Sequence, residues 1–453
     1  MNQSILPKYL QKEDAKKYQQ FLYKRFQKLI ETKSIEFDKD KRGDIAKEIK
    51  EQIKQYGLGL AMLILHQQQI YTKHLLLEVN IKEKRDGKFV EVPIDLTQPT
   101  PTYEVDNKEY LLINVPIRKF RRNIDILKEL KIINPNYNQK YAKRHKDLST
   151  CFFCSCHQMN PLEVIISYDY NNEHLLNHYK RHLYSNYILG FTFTPFGRTD
   201  QVIHFLAWDN PGEDKWNLAR NQNLRSHTIH DLVLLVCEIN RSIKEFFKNE
   251  APHITDYPQV DGAFNGWAGN TGWHEHYQFF YLENKFPIYN QKRTEILNDN
   301  KVKIERIDWP LCSLRISLSG FDTFDLDTLI RTATTIAEDW VDNNPARHTQ
   351  NIIVHTEDDR PVIYHFARDI TKVNAEDVWV KDEDFEDQSL SKHGFAVLES
   401  AGIIVIDEPE TIKKLRKLST STRTEVVIQW MEQINPCWEL SCPILGRLHT
   451  RCP

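Results

Sequence analysis

The stretch DGAFNGWAGNTGWHEHYQFF, residues 261–280, joins two predicted strands through a loop rich in glycine and asparagine, and it holds four of the 15 glycines of the chain. Side chains on a strand alternate between its two faces, so His274, His276 and Gln278 share one face while Glu275 points to the other. Three polar groups in a row are costly inside a core unless they are satisfied or functional. The stretch therefore predicts a site on this strand.

This row of side chains favours chemistry on a phosphate. A histidine with an ordinary pKa of about 6.5 is largely neutral at neutral pH, and its neutral imidazole is a nucleophile. Attack on phosphorus would give a phosphoramidate intermediate, which splits one displacement into two steps. Backbone N–H groups of the glycine-rich loop and the amide of Gln278 would stabilise charge on the phosphoryl oxygens. The pattern predicts a nucleophilic histidine that faces a phosphate.

Two other interpretations of the same residues stay open. A His-x-His pair on a strand is also a common metal site, as in a metal-dependent hydrolase or oxygenase. The cupin metal motif needs a glutamate soon after the second histidine, whereas here the next one, Glu283, lies on the opposite strand face from His276. The charge of Glu275 and the bulk of Trp267 and Trp273 favour a third interpretation, a non-catalytic nucleotide-binding protein on a degenerate fold.

The composition is that of a soluble globular protein. The chain has 453 residues, of which 40% are hydrophobic, so a sizeable core and about two domains are expected. A net charge of −3 gives no field that favours nucleic acid or an anionic membrane. The first residues lack a signal-peptide pattern, and the longest apolar run, residues 57–65, is much shorter than the roughly 20 residues of a membrane span. Eight cysteines without regular spacing form no disulfide framework, so we expect a cytoplasmic protein with no nucleic-acid or membrane partner.

Hydrophobic periodicity divides the chain into helices and strands. The order strand, strand, helix, strand, loop, strand occurs twice, which indicates two similar halves. The predicted helices are one within residues 8–55, one through 43–66, and two long ones at 226–250 and 325–342. The predicted strands lie within 74–115, 187–197, 201–209, 259–267, 273–283, 310–320, 350–357, 361–369 and 394–407. Residues 381–387 are predicted to be an acidic surface loop, and 435–453 a tail.

The sequence FNGWAGNTGWHEHYQFF, residues 264–280, resembles the signature of the histidine-triad superfamily, in the transferase branch whose third motif residue is glutamine. That branch includes galactose-1-phosphate uridylyltransferase, diadenosine tetraphosphate phosphorylase and the GDP-hexose phosphorylases. The resemblance implies an α+β fold with antiparallel sheets and helices in two similar halves. It also implies a nucleotidyltransferase or phosphorylase, which cleaves a nucleoside diphosphate sugar or a dinucleotide through a nucleotidyl-histidine.

The resemblance also implies roles for the motif residues. The second histidine, His276, is the nucleophile, and the first, His274, orients the site or binds structural zinc. Gln278 hydrogen-bonds the phosphoryl group and favours transfer to phosphate over hydrolysis. The family residue between the histidines is usually apolar or proline, so Glu275 leaves the packing of this strand open. The substrate-binding residues implied by the motif and its loop are Asn265, Gly266, Asn270 and Thr271.

Two arginines outside the motif stand where the resemblance implies nucleotide contacts. Arg198 lies in the turn between the strands predicted at 187–197 and 201–209, and Arg368 lies near the end of the strand predicted at 361–369. A guanidinium group suits phosphate well because its fork of N–H donors matches two oxygens. An ordinary surface position is the alternative for each.

Cys151 and Cys154 form a Cys-x-x-Cys pair, which is a common half of a zinc site. Zinc-bearing relatives complete the site with a histidine at the end of a strand, where this sequence has Asn210. Structural zinc and buried packing thiols therefore both stay open. The covalent route itself requires no cofactor. The implied partners are a nucleotide or nucleotide-sugar substrate and inorganic phosphate, and a homodimer is left open.

The same features divide the chain into four segments. We expect a helical and β extension in residues 1–145 and a first half with the His-x-His-x-Gln motif in 146–295. A second half is expected in 296–415, followed by a C-terminal helix and tail in 416–453.

Overall fold

The structure is a computed structural model. It describes residues 80–85, 88–93, 102–104, 111–114, 166–168, 183–184, 187–191, 202–209, 224–250, 252, 259–267, 275–282, 285–320, 325–372, 374–382, 385–406 and 409–436. All statements below concern these residues. The helices predicted within 8–66 and the predicted tail, apart from residues 435–436, lie outside them.

The described strands, in chain order, are β1 (Asn80–Arg85), β2 (Lys88–Pro93), β3 (Thr102–Glu104), β4 (Leu111–Asn114), β5 (Ile166–Tyr168), β6 (Tyr187–Phe191), β7 (Val202–Asp209), β8 (Asp261–Asn265), β9 (His276–Leu282), β10 (Arg293–Asn298), β11 (Val302–Ile307), β12 (Ser313–Leu318), β13 (His348–Glu357), β14 (Arg360–Asp369), β15 (Asn374–Asp382), β16 (Phe385–His393) and β17 (Ile403–Ile406). The described helices are α1 (Thr228–Glu250), α2 (Leu326–Asn343), α3 (Val397–Ser400), α4 (Pro409–Lys417) and α5 (Thr420–Gln433), with a 3₁₀ turn at Pro287–Asn290.

A ten-stranded antiparallel sheet organises the fold, in the order β10–β11–β12–β14–β13–β8–β9–β7–β6–β5. It consists of two copies of one pattern, because β5, β6, β7, α1, β8 and β9 recur as β10, β11, β12, α2, β13 and β14. The halves join where β8 pairs with β13, from Asn265 opposite Asn351 to Gly262 opposite Val354. The predicted α+β fold with antiparallel sheets and two similar halves is confirmed.

The long helices α1 and α2 pack against one face of this sheet. Gly262 of β8 shows how close α1 lies, since a Cβ there would come within 2.4 Å of Val236 Cγ2 and 2.9 Å of Leu232 Cδ1. Glycine therefore lets the helix close onto the strand. At the start of α2, the Asp325 side chain accepts a hydrogen bond of 3.0 Å from the Thr328 N–H and caps the helix.

The opposite face of the second half is also covered. Ile353 and Tyr364 of the sheet belong to a buried cluster with Phe286 and Ile288 beside the 3₁₀ turn, and with Val397 of α3. β17 follows α3 and pairs in parallel with β4, which in turn pairs with β3. With both faces covered, β13 and β14 are buried almost throughout, although β13 carries polar residues at both of its ends and only its centre, residues 352–354, is continuously apolar.

β15 and β16 form a separate two-stranded sheet, which packs against α5. Val378 and Leu390 of this sheet are buried with Trp430 of α5, whose indole N–H donates to the Leu390 carbonyl at 3.1 Å. No described helix has both the length and the apolar character needed to span a membrane.

Most long elements lie within three residues of their predicted positions, but several regions differ. Residues 381–382 and 385–387, which the sequence predicts to lie in an acidic loop, are strand residues at the ends of β15 and β16. The prediction missed them because the acidic residues hide the alternation that buries Val378 and Val380. The strand predicted at 394–407 begins with the helical turn α3, and only residues 403–406 are strand. The sequence analysis predicts neither β5, β10 and β11 nor α4, and β10 extends across the expected segment boundary at residue 295.

Candidate active site

His276 and Gln278 lie on the sheet face that points away from α1. Gly262 faces α1 and pairs with Phe279, so the residues beside Phe279 in β9 must face the other way. His276 is the first residue of β9 and is 4% exposed, while Gln278 is half-buried. The two side chains therefore share a face, as the alternation predicts.

β8 and β9 separate at the motif. Their ladder pairs Asp261–Ala263 with Gln278–Phe280 and ends there, two residues short of His276. Asn265, at the end of β8, pairs instead with Asn351 of the second half. β9 stays paired with β7 as far as His276. The histidine consequently stands where two neighbouring strands part, at the border between the two halves.

Gly266 makes this separation possible. Its N–H donates to the Gln350 carbonyl at 2.7 Å, and the N–H of Trp267 donates to Thr349 Oγ1 at 2.9 Å. A Cβ at Gly266 would lie 2.1 Å from Thr349 Oγ1 and 2.4 Å from the Gln350 oxygen. Only glycine allows the chain after β8 to follow β13 so closely, so this motif glycine has a structural role.

Asn265 has a protein partner in this structure. Its side chain is 3% exposed, and Oδ1 accepts a hydrogen bond of 2.7 Å from the Val397 N–H, at the start of α3. The asparagine thus links the motif strand to the segment that covers the second half. Its predicted contact with a ribose or phosphate stays a prediction.

Arg368 lies in the interior, beside the segment that contains α3. Its side chain has no exposed surface and donates to Ser400 Oγ at 3.0 Å, to the Phe395 carbonyl at 3.2 Å and to the Lys372 carbonyl at 3.3 Å. Burial lowers the pKa of Arg368 to about 10. These hydrogen bonds connect the arginine to α3 and its flanking segments, and its predicted contact with a nucleotide stays a prediction.

Glu275, between the motif histidines, is fully buried on the helix side of the sheet. Its Oε1 accepts from Thr228 Oγ1 at 3.3 Å and lies 3.4 Å from the Tyr277 hydroxyl oxygen, and its Oε2 lies 3.7 Å from Arg225 Nε. Burial raises the pKa of Tyr277 well above its ordinary value. The sequence left the packing of Glu275 open, and the structure places its carboxylate in a polar cluster at the first turn of α1.

Six of the predicted site residues lie outside the described residues. They are His274, Asn270 and Thr271 of the motif and loop, Arg198, and the cysteine pair Cys151 and Cys154. Their roles, including structural zinc, stay predictions. Among the residues that are described, no three of His, Cys, Asp or Glu form a group suited to a metal ion.

One polar cluster was not anticipated from the sequence. Asp261 of β8 accepts from His355 Nδ1 of β13 at 2.6 Å and from the Tyr289 hydroxyl at 3.0 Å. The Tyr289 ring stacks on His355 with ring centroids 4.3 Å apart. The aspartate and the histidine are 94 residues apart in sequence, so no local spacing could reveal that they join the two halves.

Comparisons with known proteins were made for the whole chain. No protein-family model matches the sequence, and no curated protein matches it. Among solved structures, the chain is similar to yeast Ap4A phosphorylase Apa2 in complex with AMP. The identity is 12% and the TM-score 0.44, over 82% of this chain and 94% of that one. It is also similar to a DUF4931 family protein from Bacillus cereus ATCC 10987, at 10% identity and a TM-score of 0.26, over 55% of this chain and 95% of that one. Neither likeness is close enough to assign an activity.

Proposed function

We propose that this chain is a nucleotidyltransferase of the phosphorylase type, in the histidine-triad superfamily. Its substrate would be a nucleoside diphosphate sugar or a dinucleotide, and inorganic phosphate its acceptor. One observation carries the proposal: His276 stands where β8 and β9 part, with Gln278 beside it on the same face. A strand end beside a glycine-rich loop is suited to present an imidazole to a phosphate.

In the first step, a ring nitrogen of His276 attacks the α-phosphorus of the substrate. The N–P bond forms as the P–O bond to the leaving sugar phosphate or nucleotide breaks, and the leaving oxygen keeps the electron pair. In the second step, an oxygen of inorganic phosphate attacks the same phosphorus and the N–P bond breaks. A nucleoside diphosphate leaves, whichever of the two substrates was cleaved, and the neutral imidazole is restored.

Gln278 supports both steps from its position two residues along the same face. Its amide N–H would donate to a phosphoryl oxygen that gains negative charge in each transition state. A glutamine cannot take a proton from water, which favours phosphate as the acceptor over hydrolysis. The proposed route needs no cofactor, since the nucleophile and the hydrogen-bond donors belong to the protein.

The direct test is a search for the covalent intermediate. The protein is incubated without phosphate with GDP-glucose or diadenosine tetraphosphate, each radiolabelled in the α-phosphate, and acid-labile label on protein is measured. We expect label on the wild-type chain, its release by inorganic phosphate, and none on a His276→Asn variant with an unchanged melting temperature. Equal labelling of His276→Asn, or nucleotide binding without any label, would contradict the proposal.

A further inference from the structure

We propose that Glu275 is a positioning residue for His276: its buried carboxylate holds the start of β9 against the first turn of α1. The inference rests on the proposed role of His276 as a nucleophile. Glu275 lies directly ahead of β9, and its buried carboxylate contacts Thr228, Tyr277 and Arg225.

The start of β9 needs such a support because its ladder is incomplete. Along most of its length β9 lies between β7 and β8, but the β8 ladder ends at Gln278. Backbone pairing at His276 therefore comes from the β7 side, opposite Trp208. A strand end that is paired on one side is held less firmly than one paired on both. A tether at the preceding residue offsets this loss.

The groups around Glu275 attract its negative charge. The carboxylate meets Thr228, the first residue of α1, and lies 3.7 Å from the guanidinium of Arg225, just ahead of the helix. The amino-terminal end of a helix carries a partial positive charge, which attracts a carboxylate. α1 is 23 residues long and packs along the sheet, so the tether attaches the motif to a rigid element.

Tyr277, which follows His276, also contacts the first turn of α1. The Tyr277 hydroxyl donates to the Thr228 carbonyl at 3.2 Å and lies 3.1 Å from the Tyr187 hydroxyl, which donates to Asp231 at 2.7 Å. Both neighbours of the histidine thus attach to α1, while the imidazole projects to the opposite face. Backbone held at both flanking positions fixes the direction of the side chain between them.

The cost of burying Glu275 favours a role in positioning over one in stability. Removing a carboxylate from water is expensive, and a well-packed apolar residue in its place is often neutral or stabilising. In contrast, a displacement of about 1 Å in a reacting group can cost on the order of a hundredfold in rate. A directional contact to a rigid helix is suited to prevent that displacement.

The first test measures turnover of radiolabelled GDP-glucose and diadenosine tetraphosphate with inorganic phosphate, in Glu275→Ala and Glu275→Gln. For whichever substrate the wild type uses, we expect kcat of Glu275→Ala to fall roughly tenfold to a hundredfold, with KM changed less than about threefold. Glu275→Gln keeps an acceptor for Thr228, so its kcat should lie between that of the alanine variant and the wild type.

The matched control is Asn240→Ala, which removes another buried contact between α1 and the sheet. Asn240 Nδ2 donates to the Val260 carbonyl at 2.9 Å and to Thr356 Oγ1 at 2.8 Å, three turns further along the helix. We expect this variant to lower the melting temperature and to keep the wild-type kcat. Wild-type kcat in Glu275→Ala, or an equal loss of kcat in Asn240→Ala, would overturn the inference.

A second measurement does not depend on activity. In protein labelled with ¹³C at histidine Cε1, the signal of His276 is assigned by its absence in His276→Asn. We expect Glu275→Ala to shift or broaden this signal, whereas Asn240→Ala leaves it in place. An unchanged His276 signal would overturn the role of Glu275. A wild-type chain that forms no adduct would instead refute the proposed function, while the signal still reports on the tether.

Discussion

At the scale of single residues, adding a side chain at Gly266, the motif glycine that follows Asn265, should reduce the stability of the fold. A methyl group at Gly266 would overlap Thr349 Oγ1 and the backbone oxygen of Gln350, and a backbone atom cannot move aside cheaply. We expect Gly266→Ala to lower the free energy of unfolding by about 2–3 kcal/mol, as overpacking of a tight site does. Urea unfolding followed by circular dichroism measures the change.

The double variant Gly266→Ala, Thr349→Ala separates the two contacts. It removes the hydroxyl but leaves the Gln350 oxygen at 2.4 Å from the added methyl group, so stability should recover only in part. Full recovery of stability would mean that Thr349 Oγ1 is the group that excludes a side chain at position 266. A single Gly266→Ala variant as stable as the wild type would contradict the close approach of the two strands.

Some features of the site residues could be predicted from the sequence, and others could not. The alternation of His276, Glu275 and Gln278 between two faces follows from strand geometry, and the structure has this arrangement. The burial of Arg368 and the partner of Asn265 could not be predicted, because both residues bond to groups of a distant segment around α3. A backbone carbonyl or N–H has no signature in the sequence.

At the scale of elements, the buried carboxylate of Glu238 in α1 makes the stability of the fold depend on pH. Glu238 has no exposed surface, and although Arg241 pairs with it at 2.6 Å, burial prevails and raises its pKa from 4.5 to about 7. The folded protein therefore binds this proton more tightly than the unfolded chain. The stability from this group is fully present below pH 4.5 and is lost as the pH rises through about 7.

We accordingly expect Glu238→Gln, which cannot ionise, to lose less stability than the wild type as the pH rises from 4.5 to 8. The difference should grow by about 3 kcal/mol over this range, because one unit of pKa corresponds to about 1.4 kcal/mol. Urea midpoints at several pH values provide the measurement. Glu245→Gln is the matched control, since Glu245 pairs with the same Arg241 but is 54% exposed. Parallel curves for wild type and Glu238→Gln would contradict this expectation.

At the scale of the whole molecule, the two halves are joined by the β8–β13 ladder and by the buried cluster around Asp261. Asp261→Ala would leave His355 Nδ1 and the Tyr289 hydroxyl without their shared acceptor. We expect a loss of about 3 kcal/mol in the free energy of unfolding, with an unchanged dependence on urea concentration, because both halves still unfold together. Urea unfolding by tryptophan fluorescence and by circular dichroism should give coincident curves.

An exposed ion pair provides the comparison for this junction. Lys244 of α1 pairs with Asp359, in the turn between β13 and β14, and both side chains are more than two-fifths exposed. Exposed pairs contribute little, so Lys244→Ala should change stability by less than about 1 kcal/mol. If Asp261→Ala cost no more than Lys244→Ala, the buried cluster would not hold the halves together.

The sequence by itself determined the repetition of one strand–helix pattern and the strand face shared by His276 and Gln278, because each follows from periodicity within a short segment, and the resemblance of its motif implied the α+β fold. Only the tertiary structure decided that β8 stays paired with β13 after its ladder with β9 ends near His276, and that Glu275 reaches the first turn of α1. It also decided that Asp261 meets His355 across the junction of the halves. These features depend on which distant strands pair, and the free energy of that pairing comes from groups that are far apart in the chain.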